Sequence, residues 1–120
     1  MDSELQLLLG TAIDSLLKLE LLLYLHARPG IVQQPEAIAK QLRRLEPEVV
    51  PALEGLSEAG LIDRFAFGTG RHVVYGPAED EHVHNLVALI DDCYHGEPGT
   101  RADLVRRIVG LDVAGGSPGP

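Results

Sequence analysis

The chain has 120 residues, a formal net charge of −8 and a hydrophobic content of 45%. That apolar content suffices for one core and excludes an intrinsically disordered chain, while the acidic balance argues against general affinity for phosphate backbones. Cys93 is the one cysteine, which excludes a disulfide scaffold and fits a reducing, cytoplasmic setting. Asp2 and Glu4 stand where a secretory leader would carry basic residues, so no signal peptide is expected. Asp14, Lys18 and Glu20 interrupt the longest leucine-rich stretch, so it does not read as a membrane span.

Leu5, Leu8 and Leu9 fall at helical spacing, and Gly10-Thr11 loosens the pattern. Asp14-Ser15 offers a new helix start, because either side chain can accept a hydrogen bond from a free N–H of the first turn. Leucines then occupy nearly the whole circumference from Leu16 to Leu25. A helix that is apolar all round must be buried on every side. It is either wrapped by its own neighbours or partly covered by another subunit. Arg28-Pro29-Gly30 ends it. Pro35 suits the first position of a short helix with Ile38 and Leu42 one turn apart. After a break from Arg43 to Glu46, Pro47 opens a further helix whose core stripe is Val49, Leu53 and Leu56, and Gly60 closes it.

Strand signals follow. Asp63 to Phe67, the turn Gly68-Thr69-Gly70, and Arg71 to Tyr75 predict a β-hairpin, with glycines supplying positive φ. Helical spacing returns at Val83, Leu86, Val87, Ile90 and Tyr94. Gly96 to Gly99 reads as a loop, and Thr100-Arg101-Ala102-Asp103 as a capping box opening a last helix with Leu104, Val105 and Ile108. The expected organisation is one domain over residues 1–111 and a flexible tail over 112–120.

A helix, a short helix, a tight turn, a second helix ending in Gly60-Leu61-Ile62 and then a hairpin: from Pro35 to Tyr75 this order resembles a winged helix-turn-helix domain. Ala37-Ile38-Ala39-Lys40-Gln41-Leu42 looks like the first helix of that motif, and Leu53 to Ile62 like the end of its recognition helix. The layout, with a leading and a trailing helix, is similar to that of MarR-type transcriptional regulators and small bacterial winged-helix proteins. The resemblance implies a mainly α fold with a small β-hairpin, and DNA binding.

The residues themselves qualify that implication. Base edges in the major groove are read chiefly by Arg, Lys, Asn and Gln, and Pro47 to Gly60 contains none of these. Its expected outward stripe is Glu48, Ala52, Gly55 and Glu58 or Ala59, and Pro51 removes an early helical hydrogen bond. Basic residues flank the helix instead. Lys40, Arg43 and Arg44 lie at and before the turn, and Arg64 and Arg71, with His72, on or near the wing. These five cations are the expected DNA-binding set, reaching phosphates and the minor groove. The alternative is that they are solvated charges balancing nearby glutamates, in a winged-helix module that binds a protein rather than DNA.

No nucleophile–base pair suggests an enzyme, and Cys93 and His95, two apart on a helix, point in different directions. His84, Asp91 and His95 fall on one helical stripe, near His82, and read either as a water-facing polar surface or as loose metal ligands. No cofactor or stoichiometric metal is expected. A homodimer is expected through the helical ends of the chain, with Leu16, Leu19, Leu22, Leu23, Leu86, Ile90 and Leu104 at the interface.

Overall fold

The computed structural model describes residues 7–114, with side chains through Val109. The readings at Asp2, Glu4, Leu5 and the Gly115–Pro120 tail therefore lie outside the described residues. Leu7 and Leu8 are helical, and Leu9 and Ile13 form an isolated bridge with both side chains buried. Five helices and one hairpin follow: α1 (Leu16–His26), α2 (Pro35–Leu42), α3 (Glu46–Glu58), β1 (Ile62–Phe67), β2 (His72–Pro77), α4 (Glu81–His95) and α5 (Pro98–Ala114).

Helix α1 starts where Ser15 Oγ accepts from the Lys18 N–H at 3.2 Å. Leu19, Leu21, Leu22, Leu23 and Leu25 are all buried, because α3, α4, α5 and β2 pack around α1 on different sides. Full burial of each leucine contributes about 1.5–3 kcal/mol, so the leucine run is the main apolar store of the fold. Its expected role as a subunit surface needs correction. Leu19, Leu22, Leu23, Leu86, Ile90 and Leu104 are all at most 8% exposed within the single chain, and only Leu16, at 40%, is open. The fold satisfies the hydrophobicity of α1 internally.

The short helix α2 begins at Pro35 as expected, and Arg43 closes it in the left-handed conformation (φ 56°, ψ 44°). The chain reverses within three residues, and α3 begins at Glu46, one residue before Pro47, where the Glu48 carboxylate accepts the Leu45 N–H at 3.2 Å. Pro51 does not break α3. It is exposed, so the Pro47 carbonyl that it leaves without a helical donor can turn to water.

The hairpin is antiparallel, with Ile62 opposite Pro77 and Phe67 opposite His72. Gly68, Thr69 and Gly70 all take positive φ, the backbone hand that a tight two-stranded turn demands. The second strand runs two residues beyond the expected end at Tyr75. Gln33 and Tyr75 exchange backbone hydrogen bonds at 2.9 and 2.8 Å, so β2 is the inner strand and β1 the free edge.

Asp80 caps α4 by accepting from the Val83 N–H at 3.0 Å, and Leu86, Val87 and Ile90 face the core. The expected capping box at Thr100 is not the start of the last helix. Pro98 already opens α5, since a proline at the first position loses no donor, and the Arg101 N–H reaches the Glu97 carbonyl at 3.0 Å. Helix α5 continues to Ala114, three residues into the expected tail.

Two substitutions test this packing by urea denaturation. Leu22→Ala is expected to cost about 2–5 kcal/mol, and Leu22→Glu to unfold the chain. Gly76→Ala places a Cβ 2.9 Å from Val32 Cγ1 and 3.0 Å from the Ile31 carbonyl oxygen, so a loss of about 1–3 kcal/mol is expected. An unchanged denaturation midpoint in either alanine variant would contradict the packing described.

Candidate nucleic-acid interface

The surface built by α2, the turn, α3 and the hairpin is the one to which the basic residues belong. Val49, Ala52, Leu53 and Leu56 form the inner stripe of α3. Ala52 was expected to face outward and is only 7% exposed. Gly55 was also expected outward. It lies beneath Lys18 of α1, and a Cβ there would approach Lys18 Nζ at 3.0 Å. Glu48, Glu58 and Ala59 are exposed as expected, so the departure from the expected wheel is confined to Ala52, which is buried, and Gly55, which lies under the Lys18 side chain. Pro47, Pro51, Glu54 and Glu58 are exposed at helical spacing and make up the outward stripe. Two prolines and two carboxylates offer no hydrogen-bond donor to a base edge.

The five expected contact residues are all exposed, but they are differently engaged. Lys40 Nζ lies 3.5 Å from Glu36 Oε1, one turn back on α2. Arg44 Nη2 donates to Glu20 Oε1 of α1 at 2.9 Å. That hydrogen bond and the Glu20 charge hold the Arg44 proton more tightly than usual, with a smaller contribution from Glu48 against a slight loss of hydration. Arg43 makes no ion pair among the described residues. Arg64 and Arg71 stand on the wing side of a groove of about 330 Å³, with His72, Val73 and Tyr75. Glu36, Glu46 and Glu54 line the opposite side. The groove thus sets two guanidinium groups against three carboxylates, with no ion pair between them among the described residues.

A second concavity of about 350 Å³ lies between the end of α1, the 29–32 loop, Phe65 and the start of α4. The His26 and His84 rings meet on its wall, 5.0 Å apart and tilted by 41°. This contact separates His84 from the rest of the expected stripe. Asp91 and His95 pair with each other, at 3.3 Å between Oδ1 and Nε2, two turns further along α4. Among the described residues no three metal-ligating side chains converge. Glu20 and Lys18 also face the surface built by α2, the turn, α3 and the hairpin, Glu20 through Arg44 and Lys18 over Gly55. Their only signal was to interrupt the leucine run, which says that they are polar but not what they face.

No family model and no curated protein matches the sequence. Solved structures do resemble the chain. A double mutant of Lactococcus lactis ZitR superimposes with a TM-score of 0.58 at 16% identity, over 84% of this chain and 71% of that one. MepR, described as a transcription regulator of the Staphylococcus aureus multidrug efflux pump MepA, gives 0.53 at 19% identity, over 82% and 77% of the two chains. A MepR variant bound to an oligodeoxyribonucleotide gives 0.51 at 19% identity, with the same coverage. These likenesses show the fold: a winged helix-turn-helix resembling the MarR type, mainly α with a two-stranded wing and additional N- and C-terminal helices.

Elemental analysis and chelation test the reading of α4. EDTA treatment is expected to leave the melting temperature unchanged. One zinc or nickel per chain, lost in His84→Ala or His95→Ala, would overturn it.

Proposed function

We propose that this chain is a winged-helix regulatory protein, resembling MarR-type transcriptional regulators, that contacts DNA through its turn and wing rather than through α3. The observation that carries this reading is the distribution of charge on the motif. The flanks of α3 present Arg43, Arg64 and Arg71, with Lys40 held only by an exposed pair to Glu36, whereas the outward stripe of α3 carries Pro47, Pro51, Glu54 and Glu58. Exposed pairs such as Lys40–Glu36 are weak, so a phosphate can replace the carboxylate. Arginines on a wing can enter a minor groove or bind phosphate, which fixes register with little base information. The likeness of fold to a MepR variant bound to an oligodeoxyribonucleotide supports DNA as the ligand by analogy.

Such binding is weak for one subunit, because a net charge of −8 opposes approach and few phosphates are neutralised. Pairing two subunits doubles the contacts and makes specific binding attainable. We therefore read the active form as a homodimer, joined through its helical ends, where Leu7, Leu16 and Leu89 leave 70%, 40% and 44% of their surface open. Light scattering at micromolar concentration is expected to show a dimer, and a strict monomer without concentration dependence would remove this part of the reading.

The contact assignment is tested by fluorescence anisotropy on labelled genomic duplexes over a salt series. Arg43→Ala/Arg71→Ala is expected to weaken binding on every sequence and to flatten the salt dependence by about two phosphate contacts. Glu54→Gln is expected to raise affinity modestly without changing base preference, by removing one repulsive charge from α3. Loss of specific binding in Glu54→Gln with no effect of the double arginine variant would reverse the assignment. Failure of the wild type to bind any duplex at low salt would replace DNA by a protein partner.

A further inference from the structure

We propose that Arg44 is not a DNA contact but one half of a clamp with Glu20 that fixes the turn of the helix-turn-helix on α1, so that Arg43 alone carries the turn's contact to phosphate. The functional consequence rests on the DNA reading above; the clamp itself does not. Arg44 and Glu20 are 24 positions apart in sequence and their side chains meet at 2.9 Å, with both only moderately exposed (39% and 35%). Helix α2 is not among the elements that pack broadly on α1, whose apolar sides are taken by α3, α4, α5 and β2. The ion pair therefore joins the turn to the central helix where apolar packing does not.

The backbone prepares the arrangement. Arg43 occupies the left-handed conformation, and the Arg44 N–H closes the end of α2 on the Ala39 carbonyl at 2.9 Å. The Arg44 side chain thus leaves from a defined point in the turn. Glu48 is the second carboxylate whose charge acts on it, and the same Glu48 receives the Leu45 N–H at the start of α3. The guanidinium already has a carboxylate partner, Glu20 Oε1, at 2.9 Å. Unlike the 3.5 Å pair of Lys40 with Glu36 inside one helix, the 2.9 Å Arg44–Glu20 contact joins two segments, so moving Arg44 to a phosphate would also release the turn from α1. Lys18, paired with Asp14 at 3.1 Å, sits over Gly55 near the middle of α3. Helix α1 thus meets the motif by packing on α3 and by the Arg44–Glu20 ion pair at the turn.

The test compares Arg44→Ala, Glu20→Ala, the double alanine variant and the charge exchange Glu20→Arg/Arg44→Glu. Two readouts are used: affinity for a fluorescein-labelled random-sequence duplex over a salt series, and thermal melting without DNA. Each single variant is expected to weaken binding by about threefold, and the double variant by no more, as residues of one pair are non-additive. The exchange should return to within about twofold of wild type, and the salt slope should stay at its wild-type value in all four. Arg43→Ala, by contrast, should lower that slope by about 0.9. If Arg44→Ala lowers the slope as Arg43→Ala does, or if the exchange binds as weakly as Arg44→Ala, Arg44 is a phosphate contact and the clamp assignment fails. If the wild type binds no duplex, the DNA reading falls by itself and melting decides the clamp. Non-additive losses with recovery in the exchange support it, and additive losses without recovery overturn it.

Discussion

The burial of α1 is the constraint from which the remaining arrangement follows. Its leucines point in every direction, so no single neighbour can cover it, and α3, α4, α5 and β2 each take one side. Covering a fully apolar helix in this way places the hairpin, the second helix of the turn motif and the two trailing helices at set positions around one axis. The end of α1 then ties the wing to the core. Arg28 lies 3.8 Å over the Tyr24 ring, the Tyr24 hydroxyl donates to Gln33 Oε1 at 2.8 Å, and Gln33 pairs through its backbone with Tyr75 of β2. A hairpin of two strands is marginal by itself, and this added pairing, with the packing of α1 and α3 beneath it, supplies its support.

The same packing determines what the helix-turn-helix can offer a ligand. Ala52 is buried and Gly55 lies under the Lys18 side chain, which leaves Pro47, Pro51, Glu54 and Glu58 on the outside of α3. A helix of this composition has the shape to enter a groove without donors to read it. Positive charge is displaced to the turn and to the wing, where Arg64 and Arg71 face glutamates across an open groove. Shape and positive charge thus lie on different parts of the motif, the first on α3 and the second on the turn and the hairpin.

The trailing helices are joined by equally specific local chemistry. Gly96 is required where α4 ends, because a Cβ there would lie 2.7 Å from the Asp92 carbonyl oxygen. Pro98 then restarts the helix without wasting a donor. Across the bend, Arg101 lies 4.3 Å over the Tyr94 ring and donates to its hydroxyl at 2.9 Å. Leu104 and Ile108 can then complete the core beside α1.

Much of this was legible in the residue order, because it depends on local rules. A cap at Asp14 or Ser15, Pro35 at a helix start, positive φ at Gly68 and Gly70 in the hairpin turn and the stripe Leu86, Val87, Ile90 are each decided within a few residues, by hydrogen-bond geometry, steric preference or periodicity. The helix–turn–helix–hairpin order, and with it the likeness to MarR-type regulators, followed from these. What periodicity could not decide was which apolar face belongs to the chain itself and which small residue lies at a close approach. The leucines of α1 look alike whether a neighbouring element or another subunit covers them, and Ala52 and Gly55 look outward until the packing of α3 is known. The partners of charges are hidden for the same reason. Arg44 and Arg43 are adjacent in sequence and chemically identical, yet one is held by Glu20 from a distant helix and the other is not, since an ion pair between distant segments exists only once packing has brought those segments together.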